Sequence, residues 1–149
     1  MNNLMLDNKI FKTLVNSAPL ISIDILLKHN DKILLGRRIN RPAKNYFFSP
    51  GGRIYKNETI EIALKRIAKK ELNIDFSHNP NFIGVYEHFY NDSIYDDVST
   101  HYINLAYEYH ADGLLNLPND QHDQYKWFTI NEIKSDAQVH KYVKNYFRN

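Results

Sequence analysis

The sequence predicts an α/β fold, an α/β/α sandwich on a mixed β-sheet, running as one domain over residues 1–149. Three observations lead there. Strand-period segments flank one long amphipathic helical segment, a second helical stretch closes the chain, and no repeat or Gly/Pro-rich linker divides them. The length, 149 residues, is that of one compact domain, and 43% hydrophobic residues can supply its core.

Taken in order, Ile10, Phe11, Leu14 and Val15 recur at helical spacing, so residues 7–16 form a short helix that Pro19 ends. Leu20–Lys28 is rich in β-branched residues, and His29-Asn30-Asp31 marks a turn into a returning strand, Lys32–Arg38. Within the first strand Ser22 and Asp24 share the face opposite Ile21, Ile23 and Ile25. Arg38–Asn45 is a polar loop, Tyr46–Ser49 a short aromatic strand, and Pro50-Gly51-Gly52 breaks it. Glu58–Asn73 is the strongest helix. Strands follow at Phe82–Tyr90 and Tyr102–Tyr109 around a polar loop, 91–100. Residues 117–125 form a loop, Lys126–Thr129 a short strand, and Asn131–Phe147 a closing helix.

Composition narrows the function. A formal net charge of +2 gives no basis for nucleic-acid binding. With no cysteine, disulfides, thiolate metal sites and a Cys nucleophile are excluded. Asp7, Asn8 and Lys9 interrupt any signal-peptide apolar core. No apolar run approaches the roughly 20 residues of a membrane span. These readings lead to the expectation of a soluble, cytoplasmic protein with no membrane partner. The 11 Tyr leave room for stacking on a base or sugar.

The segment Gly51–Ile74 carries the chemistry. Gly52 is followed by five residues and Glu58, then seven residues and Arg66, then Glu71 five positions on. Glycines let backbone approach a phosphate or metal closely. A following helix aims a carboxylate at a hard cation that shares oxygen ligands with phosphates. At about 100° per residue, Ile60, Ala63, Leu64, Ile67 and Ala68 form one apolar face, with Glu71 near its centre. Such a carboxylate either binds a cation or lies at the helix end, solvated or paired with Arg66. Lys70 falls at the edge of that face and is expected to reach solvent rather than a metal.

This spacing resembles the box of the Nudix superfamily, a loop–helix–loop that binds metal and diphosphate, and so implies the Nudix fold. Two acidic positions of that box are Ile67 and Lys70 here, and its final Gly is Asn73. The stretches SAPLISIDILL, LLGRRINRPAKNYFFSPGGR, GVYEHFY, STHY and LPNDQHDQYKW, with the same missing acids, resemble the GDP-mannose mannosyl hydrolase branch. That resemblance implies hydrolysis of GDP-mannose by water attack at sugar C1 with inversion. GDP-glucose is a second substrate to expect, and one Mg²⁺ per subunit sits on the diphosphate. It implies the Gly51 carbonyl, Glu71 and Gln121 as metal ligands and His122 as general base. Arg38, Arg53 and Tyr102 then meet the diphosphate, with Asp24 in the site and His88 and His101 in matched blocks. Met5, Leu6 and Phe11 match positions that contact guanosine, although a helix docking face explains them equally. The resemblance further implies a homodimer.

Taken by themselves, Arg38 and Arg53 also fit solvated surface charges, Tyr102 a core aromatic, Asp24 a solvent-facing strand residue, and Gln121 and His122 ordinary loop residues. Two other functions stay open. One is a Nudix diphosphatase cleaving P–O bonds, with missing carboxylates supplied by Glu58 or Glu87. The other is a non-catalytic nucleotide-binding module.

Overall fold

A computed structural model describes residues 6–112 and 122–148. Its elements in order are α1 (Asn8–Ser17), β1 (Leu20–His29), β2 (Lys32–Arg38), β3 (Phe47–Phe48), β4 (Gly51–Arg53) and α2 (Ile60–Leu72). They continue with β5 (Asn81–Tyr90), β6 (Thr100–His110), β7 (His122–Thr129), α3 (Ile130–Ser135) and α4 (Lys141–Asn145). The sheet runs β3-β2-β1-β6-β5, with β7 on β2 and β4 on β1.

β1 organises the molecule. It pairs in parallel with β6 from Leu20 to Lys28, while its other edge changes partner. Lys28 and His29 pair with β2, whereas Ser22–Asp24 pair with β4. The β1 and β2 strands therefore splay apart, and the glycines of β4 enter the fork. The expected break at Pro50-Gly51-Gly52 is thus a strand: Gly51–Arg53 is extended and bonded to β1.

Alternation along β1 divides the core in two. Ile23, Ile25 and Leu27 pack under Ala63, Leu64, Ile67, Ala68 and Leu72 of α2. Leu26 faces the opposite way, with Ile33, Leu35 and Phe128, against Ile133, Val143 and Tyr146 of the C-terminal segment. The result is the three-layered mixed sheet that the sequence predicts. At roughly 1.5–3 kcal/mol for each fully buried aliphatic side chain, these two clusters supply most of the drive to fold.

Several boundaries differ from expectation, each for a visible reason. The closing helix is two short helices. Gln138 accepts a bond from the Phe47 amide (2.8 Å), and the His140 amide donates to the Phe47 carbonyl (3.1 Å). That pairing with β3 takes backbone groups a continuous helix would need. α2 begins at Ile60 because Thr59 caps it, its side chain accepting from the Ile62 amide. Ile60 is 45% exposed and so lies off the apolar face to which its spacing assigned it. The last strand begins at His122, earlier than Lys126. α2 ends on Asn73 at φ 54°, a left-handed position where Asn replaces the usual glycine.

Candidate active site

A cleft of about 350 Å³ opens at the fork between β1, β4 and α2. Its lining includes Leu6, Phe11, Asp24, Arg38, Gly51, Arg53, Glu71, His88 and Tyr102, nine of the residues singled out from the sequence. Met5 and Gln121 lie outside the described residues, as does the side chain of His122. The His122 backbone pairs with Arg38, which places the start of β7 beside a cleft-lining arginine. His101 stacks on Phe89 (4.4 Å) and is not part of the lining.

The glycines stand between two carboxylates. A Cβ on Gly51 would lie 2.4 Å from both Asp24 Oδ1 and the Ile23 carbonyl oxygen. Only glycine allows β4 to approach β1 this closely. A Cβ on Gly52 would lie 3.2 Å from Ile67, one helical turn before Glu71. Ile67 fills a position where the resemblance would have an acid. At 1% exposure it belongs to the apolar core. Glu71 is 3% exposed, so it is a buried cleft residue and not a solvated helix end. Lys70 is exposed although its stem borders the cleft, as its place on the helix implies.

Glu58 and Arg66 brace this corner. Arg66 donates two bonds to Glu58, 2.8 Å from Nε and 2.9 Å from Nη2, and one of 2.7 Å to the Arg53 carbonyl. Its guanidinium also lies 3.8 Å from the centre of the Tyr55 ring. The Tyr55 amide donates to Glu58 at 2.7 Å. Arg66, chiefly by its hydrogen bonds, holds the Glu58 carboxyl below its ordinary range. Glu58 is therefore a structural partner and not a spare ligand, and the ion pair considered for Glu71 and Arg66 is formed by Glu58 instead. Glu87 is exposed and does not line the cleft.

Asp24 is 7% exposed, which overturns its reading as a solvent-facing strand residue. Its Oδ2 accepts from Ser49 Oγ at 3.0 Å and from the Tyr146 hydroxyl. Burial pushes the carboxyl up to about 6, against the pull of Tyr146, Ser49, Arg38 and Asn104. His88 and His140 are held down to about 4 by burial, with His140 acting on His88, and Lys141 and Arg38 on His140. Both imidazoles are neutral at neutral pH. His88 stacks on Tyr142 at 4.3 Å.

Two cationic side chains face the opening. Arg38 is anchored by Nε to the Pro42 carbonyl (2.9 Å). Arg53 lies 5.0 Å from the Phe11 ring centre and 4.9 Å from that of Tyr55. Burial raises the Tyr102 hydroxyl above its ordinary range, and both arginines oppose the rise. Tyr102 stays a neutral donor between two cations, an arrangement that suits an anionic ligand. The sequence reading did not pick out Ser49, Asn104, Tyr55 or Tyr146. Tyr142 and Tyr146, four residues apart, were a legible signal for one aromatic face at the chain's end.

Among the described residues, no three His, Asp or Glu side chains cluster to hold a metal. What the cleft offers is the buried Glu71 carboxylate of α2, with the hydrogen-bonded Asp24 carboxyl on the other side of a backbone strand that a Cβ at Gly51 would crowd. That donor chemistry fits one hard cation taking its remaining ligands from substrate oxygens.

The family model of the NUDIX domain matches residues 19–147. The chain belongs to the Nudix family. This Nudix hydrolase is 38% identical over 138 residues to the low-salt glycan biosynthesis protein Agl8 of Haloferax volcanii, covering 91% of this chain and 85% of that one. It is 29% identical over 131 residues to the ADP-ribose pyrophosphatase of Methanocaldococcus jannaschii, covering 87% and 74%. Among solved structures, the MutT protein of Methanosarcina mazei superposes with a TM-score of 0.72 at 19% identity, covering 88% and 92%. The NUDIX domain of Shewanella oneidensis NrtR, in complex with ADP ribose, gives 0.68 at 16% identity, covering 95% and 90%. At such identities these structures speak for the Nudix fold alone.

Proposed function

We propose that this Nudix hydrolase, acting in the cytoplasm as a single-domain subunit of a homodimer, cleaves a nucleotide-sugar, GDP-mannose foremost. Water attacks sugar C1, configuration inverts, and GDP leaves. The observation that carries the proposal is the poverty of acids on α2. Glu71 is buried at the cleft, while Ile67 is core and Glu58 is occupied by Arg66. One Mg²⁺ held by Glu71, the Gly51 carbonyl and Gln121 would neutralise diphosphate charge when bound. A second metal would find no further cleft carboxylate on α2, and Asp24 is engaged by Ser49 and Tyr146, which favours a reaction whose water is activated by a side chain.

The remaining roles follow from the cleft. Arg38 and Arg53 grip the diphosphate, and Tyr102 donates to it. Asp24, buried and ionised at neutral pH, faces the positive charge that develops on the sugar as C1–O breaks. His88, neutral, hydrogen-bonds the sugar without adding like charge. His122 takes the proton from water as the water oxygen bonds to C1, and the electron pair of the broken C1–O bond leaves with GDP. Leu6 and Phe11, with Met5, meet the guanosine. The glycan role in the name of the Haloferax volcanii relative agrees with a sugar substrate.

The second reading is P–O cleavage of a nucleoside diphosphate linkage, favoured by the ADP-ribose pyrophosphatase relative. Hydrolysis in ¹⁸O water with Mg²⁺, followed by mass spectrometry of both products, separates them. Label in mannose with unlabelled GDP supports attack at C1. Label in phosphate replaces this reading with the second, and absence of turnover on any nucleotide leaves a binding module. His122→Ala should lower kcat by about 10²–10⁴ with KM little changed. Unchanged kcat removes His122 from the mechanism.

A further inference from the structure

We infer that Tyr146, at the end of α4, is a positioning residue for the reaction: its hydroxyl, itself held by Asn104, fixes the orientation of Asp24 in the cleft. The inference rests on Asp24 acting at the substrate.

The argument begins with a chain of hydrogen bonds that starts and ends on β1. Ser22 Oγ donates to Asn104 Oδ1 at 2.8 Å, and Asn104 Nδ2 donates to the Tyr146 hydroxyl at 2.6 Å. That hydroxyl donates to Asp24 Oδ2, which also accepts from Ser49 at 3.0 Å. The bonds run in one direction, from Ser22 through Asn104 and Tyr146 to Asp24, and Asn104 adds a hydrogen bond of its own to the Asp24 carboxyl. Two donors occupy the two lone-pair directions of Oδ2. The carboxylate is thereby turned so that Oδ1 lies beside Gly51, where the backbone of β4 enters the cleft.

Burial separates this role from general packing. Asn104 is 0% exposed and Tyr146 7%, so losing any link strands a polar group away from water. The Tyr146 hydroxyl also lies 3.4 Å from His88 Nε2, so its neighbours on that side are two cleft-lining groups. Tyr142, one turn earlier, is the contrast. Its hydroxyl serves backbone only, accepting from the Phe89 amide (2.9 Å) and donating to the Phe89 carbonyl (2.7 Å). Two tyrosines on one helix thus divide the work: Tyr142 fastens α4 to β5, and Tyr146 reaches the carboxylate.

The test compares Tyr146→Phe, Tyr142→Phe and Asp24→Asn on GDP-mannose and ADP-ribose, with kcat, KM and thermal unfolding measured for each. Tyr146→Phe keeps the ring against Tyr86 and should lower kcat about 10- to 100-fold, with KM within about twofold. Tyr142→Phe should lower the unfolding temperature and leave kcat within about twofold. Wild-type kcat in Tyr146→Phe, or equal loss in both tyrosine variants, overturns the inference. Should Asp24→Asn retain full activity, the reading of Asp24 fails first and this inference with it. An inactive Asp24→Asn beside a fully active Tyr146→Phe sinks the inference alone. A wild type inactive on both substrates removes the hydrolase reading and this inference together.

Discussion

Replacing each glycine of the Gly51-Gly52 pair by alanine tests the geometry of the cleft directly. At Gly51 the new methyl would stand 2.4 Å from a carboxylate oxygen and from a main-chain carbonyl of β1. Relief to an ordinary contact needs a shift of more than half an ångström. The Ile23–Asp24 backbone cannot yield easily, since β6 holds its other edge through Leu20–Lys28. Overpacking of this kind costs about 2–3 kcal/mol. At about 2–4 °C per kcal/mol for a domain of this size, the unfolding temperature should fall by about 5–10 °C. At Gly52 the methyl meets a Cγ1 of Ile67 at 3.2 Å, and a side-chain tip can give by a few tenths of an ångström. That cost should stay under about 1 kcal/mol, a shift of at most about 4 °C. Differential scanning fluorimetry without metal measures both, and GDP release reports activity, which should fall far more in Gly51→Ala. Equal destabilisation of the two variants, or a neutral Gly51→Ala, would refute the account of the β1–β4 approach.

Glu71→Gln should abolish Mg²⁺ activation or activity, measured by GDP release against Mg²⁺ concentration; a normal Mg²⁺ curve would assign the ion to other residues. Arg66→Lys cannot keep the forked bonds to Glu58 and should cost about 1–3 kcal/mol in denaturant unfolding. The Glu58 carboxyl, held low, adds stability that is present above its unfolded value and lost as pH falls through its folded value. The unfolding transition of Arg66→Lys should therefore depend less on pH in the acidic range than that of the wild type. His88 and His140 also sit below their unfolded value of 6.5, at about 4, so the unfolded chain binds more protons between those pH values. Stability should fall on going from pH 7.5 to 5.5 by about 1.4 kcal/mol for each imidazole, offset in part by Asp24, which takes up its proton near pH 6 in the folded state only. His140→Gln should remove part of that slope, and an unchanged slope would deny its burial.

The sequence makes some of this molecule legible and hides the rest for physical reasons. β1, β2 and α2 stand out because β-branched runs, a turn at Asn30-Asp31 and apolar residues at helical spacing are all local signals. The break between α3 and α4 has no such signal. Ile133, Val139, Val143 and Tyr146 keep an apolar pattern across it, and only the distant pairing of Val139 with Phe47 interrupts the helix. Asp24 shows the same limit at the cleft. Alternation assigns it a face of β1, but α4 arrives from 122 residues away to bury that face. Glu71 was visible because its helix and its box are contiguous. Tyr146 and Asn104 were missed because their roles exist only after the layers assemble.

The fork in β1 has a consequence for how such an enzyme changes its substrate. Asp24 is tied to β4 by register, to β6 through its own strand, and to α4 by hydrogen bond. Anything that moves it must disturb three elements together. Loop residues 39–46 and 91–99 border the same cleft outside the sheet, joined at their rims by the exposed Arg41–Asp96 pair. Variation in ligand preference is therefore cheapest in those loops, where new side chains leave the carboxylate's bonds intact. Exchanging the two loops between Nudix relatives, with the β1–β4 fork left untouched, is the natural route to new ligand preferences.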